Sequence, residues 1–255
     1  NKSIFGKNKE WVKAVNNVSF DIYKGETLGL VGESGCGKTT LGRTILKLIN
    51  PTSGEIIYDG NIISNYSIKE MRKLRKEVQI IFQDPYSSLN PKVTIGEAIA
   101  EPLTVHKIFT SKKEVKEEVK NLLSKVGLSP EHYNRYPHEF SGGQRQRICI
   151  ARSIALKPKL VICDESVSAL DVSVQAEVLN LLNDIKKEFN LTYLFISHDL
   201  SVVKFMSDRI MVMNKGKIEE IGYTEDVYNT PSSDYTRELI SAIPKGVEMN
   251  ENILN

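Results

Sequence analysis

Apolar residues along the chain fall into short runs bounded by glycine, proline and charged clusters, and each run predicts an element. Thr27–Val31 (TLGLV) is a buried-strand pattern that opens into a glycine-rich turn. A helix is predicted from about Gly37 to Leu48, stopped by Asn50-Pro51. Asp59-Gly60 separates Ile56-Ile57-Tyr58 from Asn61-Ile62-Ile63, and because both central residues tolerate positive φ, a tight hairpin is expected. Val78–Phe82 (VQIIF) is a second buried strand.

From Asp84 the texture changes to prolines and helical periodicity. Ser111-Lys-Lys-Glu114 is a capping box, and Val115, Val119, Leu122, Leu123 and Val126 share one face of the helix it opens, closed by Gly127. Strand-like runs return at Leu160–Cys163, Thr192–Ile196 and Arg209–Met213, with Lys217–Ile221 after an Asn214-Lys-Gly turn. The pattern predicts an α/β core over 1–84 and 158–221, a helical insertion at 85–157 and a short tail over 222–255.

Composition narrows the class without changing this picture. The 255 residues, 40% hydrophobic and 26% charged, are enough to bury a sizeable core. Lys and Arg number 34 against 32 Asp and Glu, so nothing in the balance favours a nucleic-acid partner, and none is expected. Cys36, Cys149 and Cys163 are far apart and the four histidines show no metal-ligand spacing, which fits a reducing compartment. No apolar run approaches the ~20 residues that cross a bilayer, and the first residues hold no signal-like segment. A soluble chain is expected, and a start without Met suggests trimming.

Two motifs carry phosphate chemistry. Gly32-Glu-Ser34-Gly35-Cys36-Gly37-Lys38-Thr39 matches G-x4-G-K-[ST] between a strand and a helix. Its glycines let backbone N–H groups wrap a triphosphate, Lys38 can reach the β- and γ-phosphates, and the Thr39 hydroxyl suits Mg²⁺. Leu160-Val-Ile-Cys-Asp164-Glu165 is a buried strand with two acids at its carboxyl end. There Asp164 would hold Mg²⁺ and Glu165 would polarise a water for attack on the γ-phosphate. Alone, the acid pair reads equally well as two solvated carboxylates; the loop upstream favours the chemical reading.

Ser141-Gly142-Gly143-Gln144 opens a helix to about Leu156 and has the form of a capping box. Two glycines in a first turn cost roughly 1 kcal/mol each relative to alanine, which capping alone would not favour. Bare N–H groups at a helix start form an anion site.

With a second phosphate-binding turn, the chain resembles the ATP-binding cassette (ABC) family, in which SGGQ is the signature motif. The resemblance implies a P-loop NTPase core of ABC type with an antiparallel β subdomain and an inserted α-helical subdomain. It implies ATP and Mg²⁺ as ligands and ATP hydrolysis as activity. Glycines 32, 35 and 37, with Ser34, Cys36, Lys38, Thr39 and Thr40, would hold the nucleotide. Ser141, Gly142, Gly143 and Gln144 would meet ATP on the opposite subunit of a head-to-tail dimer. Gln83, in Ile81-Phe-Gln-Asp-Pro85, is similar to the glutamine that couples Mg²⁺ and water to the helical insertion. Asp171, in Ser168-Ala-Leu-Asp171, matches the turn at the dimer seam, and His198 matches the switch histidine at the γ-phosphate.

Segments over nearly the whole chain resemble the second ATPase of oligopeptide and dipeptide permeases. They include Phe82-Gln-Asp-Pro-Tyr-Ser-Ser-Leu-Asn-Pro91, Ser166–Gln175 and Tyr235-Thr-Arg-Glu-Leu-Ile-Ser-Ala-Ile-Pro244. That resemblance implies a peripheral subunit on the cytoplasmic face of the membrane. Its implied partners are a paralogous or identical ATPase, two permease subunits and, indirectly, an extracytoplasmic binding protein. Nickel importers carry similar ATPases and remain the alternative cargo class; a non-transport ABC ATPase is a further one. Cys163 stands where the family usually has alanine and Phe140 where it usually has leucine, and neither removes a catalytic group. No cysteine follows Cys163, so the iron–sulfur tail of some relatives is not expected. The family stacks adenine on an upstream aromatic, for which Trp11 is the candidate; a lone Trp is more often core, and Phe5 and Tyr23 are the fallbacks.

Overall fold

The computed structural model describes residues 13–242. In chain order, β1 (Thr27–Val31) leads through the glycine-rich loop to α1 (Lys38–Ile45), followed by β2 (Ile57–Tyr58) and β3 (Asn61–Ile62). Next come α2 (Ile68–Leu74) and β4 (Val78–Ile81). The described chain between β4 and the next strand is helical: α3 (Pro85–Ser88), α4 (Ile95–Val105), α5 (Lys112–Lys125), two 3₁₀ turns and α6 (Gly142–Ile154). Then β5 (Leu160–Asp164), α7 (Val172–Phe189), β6 (Thr192–Ile196), α8 (Leu200–Met206), β7 (Arg209–Asn214) and β8 (Lys217–Tyr223) complete the core. Last are α9 (Thr224–Asn229) and α10 (Asp234–Ser241).

The main sheet runs β4-β5-β6-β1-β7-β8, with the first five strands parallel and β8 antiparallel to β7. Successive side chains of a strand face opposite sides, and here both sides are apolar. Leu28, Leu30, Leu160, Ile162, Leu194, Ile196, Met211 and Met213 pack on one side with Leu41 and Leu46 of the α1 segment. Val31, Val161, Cys163, Tyr193, Phe195, Ile210 and Val212 face the other, with Leu179 and Val203. Val119, Leu122, Leu123 and Ile148 of the helical region join that second cluster, so its core is continuous with the sheet's. A parallel sheet covered on both faces carries continuous apolar runs, which is why TLGLV and LVIC read as strands.

The hairpin forms as its sequence requires: Asp59 and Gly60 both have positive φ, 48° and 76°, as a type I′ turn demands. Other boundaries move. The helix expected to reach Leu48 ends at Ile45, because Lys47 takes φ 51° and Leu48 N–H turns back to Arg43 O at 2.9 Å, a Schellman-type close. The final strand extends to Tyr223, where it pairs with Arg209. Within the expected tail, the described residues form α9 and α10, which pack Tyr228, Tyr235, Leu239 and Ile240 onto the core. Glu220 on β8 anchors the approach to α10 by accepting the Ser232 and Ser233 N–H groups at 2.8 and 3.1 Å. Among the described residues, no helix is long and apolar enough to cross a membrane.

Candidate active site

Four adjacent strands deliver the candidate residues to one sheet edge. Gln83 follows β4, Asp164 ends β5 with Glu165 after it, His198 follows β6, and the glycine-rich loop follows β1. The carboxyl edge of a parallel sheet is where ligands are bound.

In the loop, Gly37 has φ 112°, and a side chain there would strike the Ala14 carbonyl. Ser34 and Gly35 are exposed at its tip, while Cys36 is buried and burial pushes its thiol pKa up. Among the described residues no side chain caps α1, whose N-cap is Gly37, and its first-turn N–H groups suit an anion. Lys38 is 4% exposed, its ammonium donating to Gly32 O at 2.8 Å and Glu33 O at 2.9 Å. Thr40 lies in the first turn of α1, its carbonyl accepting from the Thr44 hydroxyl at 2.7 Å.

Asp164 is 2% exposed. Burial raises its pKa above the ordinary carboxylate value, partly countered by the Thr39 hydroxyl, which donates to Oδ1 at 2.8 Å, and by Arg43, whose Nε is 3.8 Å from Oδ2. Thr39 and Arg43 lie one helical turn apart on α1, so one helix face presents both to the carboxylate.

Glu165 sits at φ 49°, a left-handed conformation that disfavours a glutamate by about 1–2 kcal/mol. The surrounding bonds hold it there: its N–H donates to Ile196 O at 3.0 Å and its carbonyl accepts from the Ser168 hydroxyl at 2.9 Å. Three candidate residues converge on its carboxylate. The Gln83 amide donates at 2.9 Å, His198 Nδ1 lies 3.5 Å away, and Lys38 Nζ lies 4.0 Å from the other oxygen. Strand order explains the meeting, since β5 lies between β4 and β6.

The SGGQ turn folds as the expected capping box. Ser141 Oγ accepts Gln144 N–H at 3.3 Å, and Gln144 Oε1 accepts Ser141 N–H at 3.1 Å. Ser141 is exposed. Asp171, also exposed, caps α7 by accepting Val174 N–H at 3.1 Å. Among the described residues, neither Ser141 nor Asp171 bonds to the carboxylate of Glu165, so the candidates fall into two sets, joined only through Ser168 at the Glu165 carbonyl.

Trp11 and Phe5 lie outside the described residues. Tyr23 stands before β1, under the Arg209 guanidinium at 4.8 Å, a full strand length from the loop that follows β1. Sequence reasoning gave no individual role to Arg43, Ser168 or Tyr235. The α1 spacing from Thr39 could have flagged Arg43. Nothing local marks the Tyr235 hydroxyl, which accepts Glu33 N–H at 3.4 Å from 202 positions away.

A family model described as ABC transporter matches residues 15–168. The oligopeptide transport ATP-binding protein OppF of Bacillus subtilis is 56% identical over 234 residues, which is 91% of this chain and 77% of that protein. The dipeptide transport ATP-binding protein DppF of Lactococcus lactis is 54% identical, covering 97% of this chain and 80% of its own length. Among solved structures, the dimeric post-hydrolysis cassette MJ0796 bound to ADP and Pi superposes with a TM-score of 0.77 at 29% identity, over 86% of this chain and 94% of that one. With the carboxyl-edge geometry and these matches in agreement, the chain belongs to the ABC transporter family, as one of its ATP-hydrolysing cassettes.

Proposed function

We propose that this cassette drives import of oligopeptides or dipeptides, hydrolysing ATP at the Lys38–Glu165 site for membrane permease subunits. The observation that carries the catalytic part is the convergence of Gln83, His198 and Lys38 on Glu165 beside the buried Thr39–Asp164 pair. The peptide cargo is supported by the relatives above, whose names specify oligopeptide and dipeptide transport.

The loop from Gly32 to Thr40 holds the phosphates through backbone N–H groups and the Lys38 ammonium. Asp164 and Thr39 suit Mg²⁺: they are hard oxygen donors in hydrogen-bond contact, with the carboxylate shielded from solvent. When bound, the ion supplies charge neutralisation on the phosphates. Glu165 accepts the proton of the attacking water, whose oxygen bonds to the γ-phosphorus as the bond to ADP breaks. Gln83 fixes the carboxylate's orientation, and His198 faces the same water and the γ-phosphate. Most of the acceleration comes from positioning and charge rather than covalent chemistry.

Ser141–Gln144 and Asp171 serve a second nucleotide, held by a paralogous or identical subunit in a head-to-tail pair. Closure depends on the γ-phosphate, and hydrolysis releases it. The helical region 85–157 receives the permease subunits on the cytoplasmic face of the membrane, and a binding protein delivers peptide on the opposite side. Residues 1–84 and 158–221 act as the motor core, and 222–255 as an extension of it.

The test is reconstitution of the co-purified complex in vesicles with labelled peptides and with Ni²⁺. ATP-dependent peptide accumulation supports the reading. Uptake of Ni²⁺ but not peptide would replace the cargo assignment, and no phosphate release under any condition would remove the motor.

A further inference from the structure

The two glycines that open α6 face different surroundings. A methyl group at Gly142 would meet only Leu170 Cδ2, at 3.8 Å, an ordinary contact. A methyl group at Gly143 would be driven into Val174 Cγ1, far inside van der Waals contact, with Val174 Cβ behind it at 3.7 Å and Cγ2 at 3.9 Å. Gly143 is buried. The emptiness at Gly142 is therefore not demanded by its own chain, whereas the emptiness at Gly143 is filled by α7.

Val174 cannot swing aside cheaply. It is β-branched and sits in the first turn of a helix, where one χ1 rotamer dominates. It also packs against the main core. Its own N–H is the donor that Asp171 Oδ1 accepts at 3.1 Å. Displacing Val174 thus strains the cap that fixes Asp171. One turn along, Arg147 of α6 donates to Glu177 of α7 at 2.9 Å, so the helix pair is clamped at a second point.

We propose that Gly143 and Val174 form a packing joint in which the missing side chain of one seats the branched side chain of the other. Val174 is then a positioning residue that holds the Ser141–Gln144 turn and the Asp171 turn in fixed relation. The two turns move as one unit when subunits close. This rests on the reading that both turns face a nucleotide held by a neighbouring subunit.

The test compares Gly143→Ala, Gly142→Ala and Val174→Ala, with each glycine variant also combined with Val174→Ala, in the co-purified transporter. Gly143→Ala lowers kcat at saturating ATP by about tenfold or more, and leaves the ATP dissociation constant of the isolated subunit unchanged, because its own loop is untouched. Val174→Ala costs about threefold, through a loosened joint. The Gly143→Ala, Val174→Ala double variant returns to within about threefold of Val174→Ala, since the colliding Cγ1 is gone and Cβ stays at ordinary contact. Val174→Ala gives no relief to Gly142→Ala. If Gly143→Ala misfolds, recovery of folded, ATP-binding protein in the double variant supports the joint equally.

A Gly143→Ala defect that Val174→Ala fails to relieve, while wild type and Val174→Ala still turn over, overturns the joint and assigns that glycine to nucleotide contact alone. Failure of the two-subunit reading shows separately, as absence of ATP-dependent association of the wild-type protein with either itself or the co-purified cassette, whatever the joint does.

Discussion

The side-chain amide of Gln83 donates to the carboxylate of Glu165 across 2.9 Å, joining the ends of β4 and β5. The same oxygen lies 3.5 Å from His198 Nδ1 at the end of β6. A single carboxylate therefore collects the outputs of three strands, and removing it tests the site most directly.

Glu165→Gln keeps the size and hydrogen-bonding reach of the side chain but cannot take a proton. ATP binding is expected to persist, and turnover to fall by about 10²–10⁴-fold, the range for a lost general base. Phosphate release measured with the partner subunit present checks this; undiminished release would falsify the base assignment.

Lys38→Ala removes an ammonium that is folded over the loop onto Gly32 O and Glu33 O. Nucleotide affinity is expected to drop by about tenfold or more, as charge-assisted bonds contribute roughly 1.5–3 kcal/mol. A titration with ATP reads the change directly. An unaltered dissociation constant counts against the cradle.

Asp164 makes a pH prediction. Its folded pKa is raised by burial, so folding favours its protonated form. That contribution is full below the unfolded carboxylate pKa and is lost as pH rises through the folded value. Near neutrality, without Mg²⁺, the buried charge weakens the fold. Asp164→Asn should therefore raise Tm in chelator at pH 7. The advantage should shrink at acid pH, and Mg²⁺ should no longer stabilise the variant in the presence of ATP. Thermal melts at two pH values decide it; a variant less stable than wild type in chelator at pH 7 refutes the argument.

Two loop glycines separate strain from collision. Gly35 has φ 79° with open space around it, so Gly35→Ala should cost about 1–2 kcal/mol of backbone strain. Gly37→Ala adds a clash with the Ala14 carbonyl to a similar strain and should cost more than 2 kcal/mol. Denaturant midpoints of the two variants give the comparison; equal losses would mean that the Ala14 segment yields.

Much of this site was legible because its parts are local. The loop, the acids after LVIC and the SGGQ capping box each depend on a handful of consecutive residues, and periodicity marked the strands that carry them. What stayed hidden depends on order in space. Nothing near Gln83 says that its amide meets Glu165, 82 positions on, since that follows from β4 and β5 being neighbours. The packing of Val174 against Gly143 stayed hidden as well, because Val174 belongs to another helix. The short helices α9 and α10 escaped because six and eight residues are too few for a clear helical period, although Ser233 stands at the start of α10. Trp11, the expected adenine platform, lies outside the described residues.

Strand order has one more consequence. Interstrand spacing is set by backbone hydrogen bonds at about 4.8 Å, whatever the side chains are. Gln83, Glu165, His198 and the loop hang from four consecutive rungs of that ladder. The sheet works as a ruler whose graduations are peptide bonds, so surface helices can drift in sequence without detuning the distances among these candidate groups.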